Sequence, residues 1–193
     1  MSDFKKYIPF IVLGDEKLID QPMSKGGPVK FGINIDDWQR YGYDKNKDGL
    51  NNIEDLAVIT KEDAYSVYKK KYWDAILADK IKNQSIANTL CDWYEDNPSA
   101  MTLCTKELLQ LPYEDVVDEI LIAILNKQNP FQLFTAIQKA RTTYENNIVA
   151  FNPHLKDQLK SKIDNIIRFK FSEPIPKKSL PNKAAYAKSR LGV

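Results

Sequence analysis

From about Thr60 onward, apolar and polar residues recur with the spacing of amphipathic helices. Ala64, Val67, Tyr68, Tyr72 and Trp73 fall on one side of a first helix, and Thr60-Lys61-Glu62-Asp63 ahead of them reads as an N-cap with an acidic first turn. Ile86, Leu90 and Trp93 stripe a second helix from about Ser85, which fades at the turn signal Asp96-Asn97-Pro98. Further helices are predicted over residues 100–109, 113–127, 130–151 and 152–169. Asn129-Pro130 and Asn152-Pro153 open the last two, with Asn as cap and Pro in the first turn. No long strand pattern occurs; residues 30–35 suit part of a small hairpin. After Phe171 apolar residues thin out, and Pro174, Pro176 and Pro181 alternate with Lys177, Lys178, Lys183, Lys188 and Arg190. That composition predicts an extended tail, either a frayed end or an arm that orders against a partner.

The pattern is that of a mainly α protein, and 193 residues suffice for one good core or two small lobes. Apolar content of 43% and charge of 28% are ordinary for a globular chain, so disorder throughout is not expected. A net charge of +2 supplies no strong field and argues against an electrostatically driven nucleic-acid binder. The N-terminal apolar run is short and broken by Pro9; it makes no signal-peptide core, and nothing in the chain approaches the ~18 apolar residues of a membrane span. The chain is therefore expected to be made in the cytoplasm and not to span a membrane. Without a secretory context, Cys91 and Cys104 read as reduced thiols rather than a bridge. His154, just after Asn152-Pro153, reads as a surface residue rather than a catalytic base. No organic cofactor is expected.

One segment carries metal-type chemistry. Asp44-Lys45-Asn46-Lys47-Asp48-Gly49-Leu50 opens a loop running to Asp55 with the Asp-x-Asn-x-Asp-Gly spacing of calcium loops. In such a loop Asp44, Asn46 and Asp48 give side-chain oxygens, Gly49 allows the sharp turn, Leu50 gives its carbonyl, and Asp55 closes the set as in dockerin loops. Asn51 stands where an Ile or Val normally packs. The competing reading is a polar surface turn, because Asn, Asp and Gly dominate turns for their own reasons.

Six of the seven glycines (Gly14, Gly26, Gly27, Gly32, Gly42 and Gly49) lie in the first 50 residues. The segment from Gly14 to Asn34, with Pro22, Gly26-Gly27 and Lys30-Phe31-Gly32-Ile33, resembles the active-site segment of the phage-type N-acetylmuramidases, glycoside hydrolase family 108. The likeness continues through Ile59-Thr60, Tyr68, Tyr72-Trp73-Asp74, Asp79-Lys80-Ile81 and Gln84-Ser85-Ile86-Ala87. It then runs through Asn126, Asn129-Pro130, Leu133-Phe134, Arg141 and Tyr144, covering about residues 4–168 in all. The resemblance implies a lysozyme-like helical domain with a small glycine-rich N-terminal lobe and an extended C-terminal tail. Its parts are a catalytic-type half over residues 1–98, a helical peptidoglycan-binding-like half over 99–170, and the tail over 171–193.

The departures fall where the chemistry would sit. The family's catalytic Glu falls on Asp15, its loop Asp on Ser24 and its Thr on Val29. A register shifted by one residue puts the acid on Glu16, with Asp20 or Asp36 assisting. The run Asp92-Trp93-Tyr94-Glu95-Asp96-Asn97-Pro98 keeps the family's Asp and loses its Asn-Ser-Gly, and the peptidoglycan-binding turn, at residues 113–120, has no glycine. These features imply a catalytically inactive muramidase-like protein kept as a structural or binding component of a phage virion, tail or contractile injection apparatus. Its partners would be other proteins of the particle, through the tail, and peptidoglycan. The alternative is an active peptidoglycan hydrolase using Asp15 or Glu16 as general acid.

Overall fold

A computed structural model of the chain describes residues 1–19, 27–155 and 169–171. Two single 3-10 turns, Phe4–Lys6 and Ile8–Phe10, lead into the small lobe. There β1 (Val29–Lys30) and β2 (Ile33–Asn34) pair antiparallel, with Val29 opposite Asn34 and Lys30 opposite Ile33. Short helices α1 (Ile35–Tyr41) and α2 (Ile53–Ala57) flank the polar loop between them. Then come α3 (Lys61–Tyr68), a π turn over Lys69–Trp73, a 3-10 turn over Ala78–Lys80, and α4 (Gln84–Asp96). The remaining helices are α5 (Pro98–Leu108), α6 (Glu119–Leu125) and α7 (Pro130–Phe151), closed by a 3-10 turn at Pro153–Leu155. The molecule is mainly helical and lysozyme-like, as the sequence pattern and the resemblance predict.

The helices start where the sequence supplies acceptors for orphan N–H groups. Asn34, Asn52, Asn83, Asn97 and Asn129 each accept a backbone N–H of the turn they cap, and Asp118 does so for α6. Thr60 and Asp63 close a reciprocal capping box on α3, and Asn52 and Asp55 another on α2. Five of the fourteen asparagines thus serve as helix caps.

Nine consecutive residues of α4, Ser85 to Trp93, are buried, because α5 and α7 cover one side while the π turn and the N-terminal turns cover the other. Trp73 is fully buried, with the rings of Phe4 and Tyr7 at 5.6 and 5.7 Å, and its Nε1 donates to Asp79 at 2.6 Å. Trp93, Tyr68 and the half-buried Tyr72 join this core, as their spacing predicts. Across α4 and α7, the buried guanidinium of Arg141 donates to Asp92 at 2.7 Å and to Asp96, and Asn97 Nδ2 donates to Tyr144 Oη at 3.0 Å. Phe169 packs on Phe10 at 4.7 Å, and Phe171 on Phe131 and Phe134 at 5.3 and 5.6 Å. Residues 172–193, most of the expected tail, lie outside the described residues, as does nearly all of the helix expected over 152–169.

Three boundaries differ from the pattern's prediction. Asn97 caps α5 directly, so that helix begins at Pro98 rather than at 100. The helix expected from 113 begins at Glu119, because Asp118 caps it and the acids before it are turned to other work. Lys106, 3% exposed, reaches Asp118 at 3.5 Å and Glu114 at 4.0 Å, and Ser99 donates to Asp115, which ties residues 114–118 down as a loop. Asn152 closes α7, donating its N–H to the carbonyl of Ile148 at 2.9 Å, and only one 3-10 turn follows among the described residues.

Candidate functional site

Residues 14–19 run along the hairpin. Asp15 offers its carbonyl to the N–H of Phe31 at 2.7 Å, and Ile19 and Val29 exchange N–H to carbonyl bonds at 2.8 and 2.9 Å. Phe31 and Gly32 take φ of 52° and 80°, the two left-handed positions of a tight hairpin turn. Phe31 accepts that strain because its ring is buried. Gly14 lies flat against this turn: a β-carbon on it would stand 2.8 Å from the backbone N of Gly32. Asp15 therefore sits on a backbone fixed from two sides.

The side chains are less confined. Asp15 and Glu16 are both exposed, and neither has a hydrogen-bond or ion-pair partner among the described residues. Val29 is half-buried in β1. Ser24 and the alternative helper Asp20 lie outside the described residues, and Asp36 is exposed on the first turn of α1. The structure thus brings Asp15, Val29 and the Gly32 turn together and gives neither acid a sheltered position.

α3 and the π turn supply the opposing wall. The Tyr68 hydroxyl lies 3.1 Å from where a Gly32 β-carbon would be, and the Tyr68 and Tyr72 rings are 5.5 Å apart. Lys71 bonds Asp37 at 2.7 Å and stands 4.9 Å from the Tyr72 ring. Burial, with the charges of Glu95 and Asp37, holds the Tyr68 hydroxyl far above the ordinary phenol range; burial also raises Tyr72, against the pull of Lys71. Both phenols are neutral at any working pH; Tyr68 is buried in the core, and Tyr72 is the half-buried one of the pair. Sequence spacing assigns these tyrosines to the core, where Tyr68 lies and against which Tyr72 packs. Their Tyr-x-x-x-Tyr spacing was the available signal, but the extra residue of the π turn that aims Tyr72 was not legible.

The loop over residues 44–55 has many of the internal bonds of a calcium loop. Asp44 accepts the N–H groups of Lys47, Asp48 and Gly49 at 2.7, 3.2 and 2.9 Å, and Asp48 accepts that of Leu50 at 2.8 Å. Asn46 Nδ2 donates to Asp48 at 2.8 Å. Asp55 is buried and accepts the N–H groups of Lys45, Asn46 and Asn52 at 2.7, 2.9 and 2.9 Å, bonds that hold its carboxyl below the usual range. Among the described residues no three His, Cys, Asp or Glu side chains converge on a metal position. The bland assignments hold: His154 is exposed, Cys91 is buried, Cys104 is half-buried, and both thiols are free. Among the described residues no helix is long and apolar enough to cross a membrane.

This hairpin, wall and first-half helix set is also what relates the chain to known proteins. Residues 11–96 match the family model of glycosyl hydrolase 108. Over that stretch the chain is similar to the glycosyl hydrolase 108 family. The match ends with α4, so it spans the small lobe and the tyrosine wall but not α5 to α7. Among solved structures the chain is similar to Brucella abortus SagA, at 16% identity and a TM-score of 0.56, over 86% of this chain and 94% of that one. At that identity the likeness is one of fold, and it extends the shared architecture over the C-terminal helices. No curated protein matches the chain.

Proposed function

We propose that the chain is a muramidase-type domain that binds peptidoglycan without cleaving it, kept as a structural or binding component of a phage virion, tail or injection apparatus. The exposed Asp15, standing where the family has its catalytic Glu, carries this reading. Glycosidic cleavage needs a carboxylic acid that keeps its proton and reaches the leaving oxygen, which enzymes achieve by sheltering it from water. Asp15 is one methylene shorter than Glu, a deficit of ~1–1.5 Å that can cost ~100-fold in rate. The contact of Gly14 with Gly32 and the Asp15–Phe31 bond keep the backbone from advancing to make up the difference. Val29 adds methyls where the family offers a hydroxyl, while the half-buried Tyr72 of the opposing wall is the aromatic left to contact a saccharide.

The test is cell-wall pull-down beside a turbidity and zymogram assay on the same purified walls. Retention on the walls without solubilisation is expected, for the native chain and for Asp15→Glu alone, because groups that act as a unit are not restored singly. Lysis abolished by Asp15→Asn or Glu16→Gln would overturn the reading in favour of an active hydrolase. The basic, proline-rich residues 172–193 serve in this proposal as the arm that engages proteins of the particle. Truncation after Phe171 should leave the fold intact and prevent incorporation. We further propose that the loop takes calcium through Asp44, Asn46, Asp48 and the Leu50 carbonyl, giving up the Asn46–Asp48 bond, while Asp55 closes the site and pins it from inside.

A further inference from the structure

A pocket of about 190 Å³ opens at the N-terminus of α4, on the helical side of the molecule and away from the hairpin. Lys82, Asn83, Asn126 and Gln128 provide its polar lining, and Ile86 and Leu125 its apolar lining. Asn126 fixes the rim: its Oδ1 accepts the Lys82 N–H and its Nδ2 donates to the Lys80 carbonyl, both at 2.8 Å. Gln128 Nε2 is committed to the Ile124 carbonyl at 3.2 Å.

Two donors are left over. Asn83 is 5% exposed, and its Oδ1 is held by the Ile86 N–H at 3.0 Å as the cap of α4. Its Nδ2 is buried with no acceptor among the described residues. Flipping the amide does not cure this, because the cap would then lose its acceptor, at a cost of ~1 kcal/mol. The second donor is the Lys82 ammonium, which has no acidic partner among the described residues. Among the described residues no Asp or Glu lines the pocket. The helix start adds partial positive charge to the same spot. A buried orphan donor, a free cation and a helix N-terminus converging over apolar side chains define a receptor for one negative charge on a short aliphatic body.

We propose that this pocket binds a small aliphatic carboxylate, of the size of a single acylated amino acid. The volume equals that of roughly six water molecules, which suits such a ligand and excludes a disaccharide. The site stands independently of the hairpin reading, since it shares no residue with that site.

The test is an NMR titration of the full chain with N-acetylalanine, its neutral analogue N-acetylalaninamide, and propionate, read at the amides of Asn83, Ile86 and Leu125. Saturable shifts are expected with both acids, and binding of the neutral amide should be at least about tenfold weaker. Tighter binding of N-acetylalanine than of propionate identifies a chain-terminal carboxylate as the ligand, and the reverse order a free acid. Asn83→Asp keeps the cap acceptor, removes the orphan donor and adds a repelling charge. It should therefore stay folded, with an unchanged melting temperature or a higher one, and lose acid binding by at least about tenfold. Lys82→Gln, on an exposed side chain, should weaken binding severalfold without touching stability. Absence of saturable shifts, equal binding of the neutral amide, or unchanged binding by a folded Asn83→Asp would each overturn the proposal.

Discussion

Asp63 joins the start of α3 to the polar loop, and its titration should be visible in the stability of the whole molecule. Its carboxylate accepts the Thr60 N–H at 2.7 Å and the Thr60 hydroxyl at 2.9 Å, closing the box that starts α3. It also accepts the Tyr43 hydroxyl at 2.8 Å and pairs with the Lys45 ammonium, which tethers the start of the polar loop to that helix. Burial alone would raise its pKa, but the bonds from Lys45, Thr60 and Tyr43 outweigh burial and hold it at about 2. Moving a carboxyl from 3.8 to about 2 corresponds to roughly 2.5 kcal/mol. Water at the edge of the site screens part of that, leaving about 1–2 kcal/mol.

Because the folded pKa is depressed, the folded state binds fewer protons than the unfolded chain at mildly acidic pH. The contribution is complete above the unfolded value near 4 and is lost as pH falls through about 2. Asp63→Asn should therefore melt roughly 3–8 °C below the native chain at pH 7, and the gap should close between pH ~4 and ~2. Comparing the two proteins at each pH cancels the other carboxylates that titrate there, such as Asp118, which is also held low. Calorimetry across that range decides it. A gap that stays constant down to pH 2 would show that the side chain acts by shape alone, and no gap at pH 7 would refute the electrostatic argument.

Other consequences are equally concrete. Gly14→Ala should lose about 1–3 kcal/mol, since the added methyl meets backbone rather than a flexible side chain; a neutral result in a melting assay would mean the Gly14–Gly32 contact is looser than drawn. Arg141→Met should cost about 3–5 kcal/mol by stripping the buried Asp92, and Asp96 beside it, of their cation, and adding Asp92→Asn should recover part of the loss; additive losses would show that the pair is uncoupled. Calcium should raise the melting temperature of the native chain and not that of Asp48→Ala. Asp55→Ala should melt lower with or without the ion, because its carboxylate holds three backbone N–H groups of the loop; a normal melting temperature for Asp55→Ala in the absence of calcium would contradict that role.

Much of the helical plan was legible because helix starts are local chemistry: Thr60 with Asp63, and Asn129 with Pro130, carry their own instructions. α1 and α2 escaped because seven and five residues hold too few repeats to show a period. What makes them helical is the burial of Trp38 and Leu56 against partners distant in sequence. Residues 113–118 misled for the opposite reason. Their apolar spacing suits a helix, yet the ties from Lys106 and Ser99 hold them as a loop, and Tyr113 and Val116 are left in water. Arg141 and Tyr144 were visible as a motif, while their role, locking α7 to the end of α4 and the cap of α5, needed coordinates.

The same division separates the two candidate sites. Asp15 could be weighed from sequence because the resemblance names its position, and the structure adds the fixed backbone that turns a lost methylene into a lost reach. Asn83 could be read as a cap at most. Whether its second amide group finds a partner depends on Leu125, Asn126 and Gln128, which lie some forty residues away and form the opposite wall of the pocket. A cap needs only one of the two polar atoms that Asn carries, and an ionised Asp caps a helix as well without leaving a donor behind. Asn at this buried start therefore brings a polar group that the helix does not use, and a carboxylate in the pocket is the partner that would satisfy it.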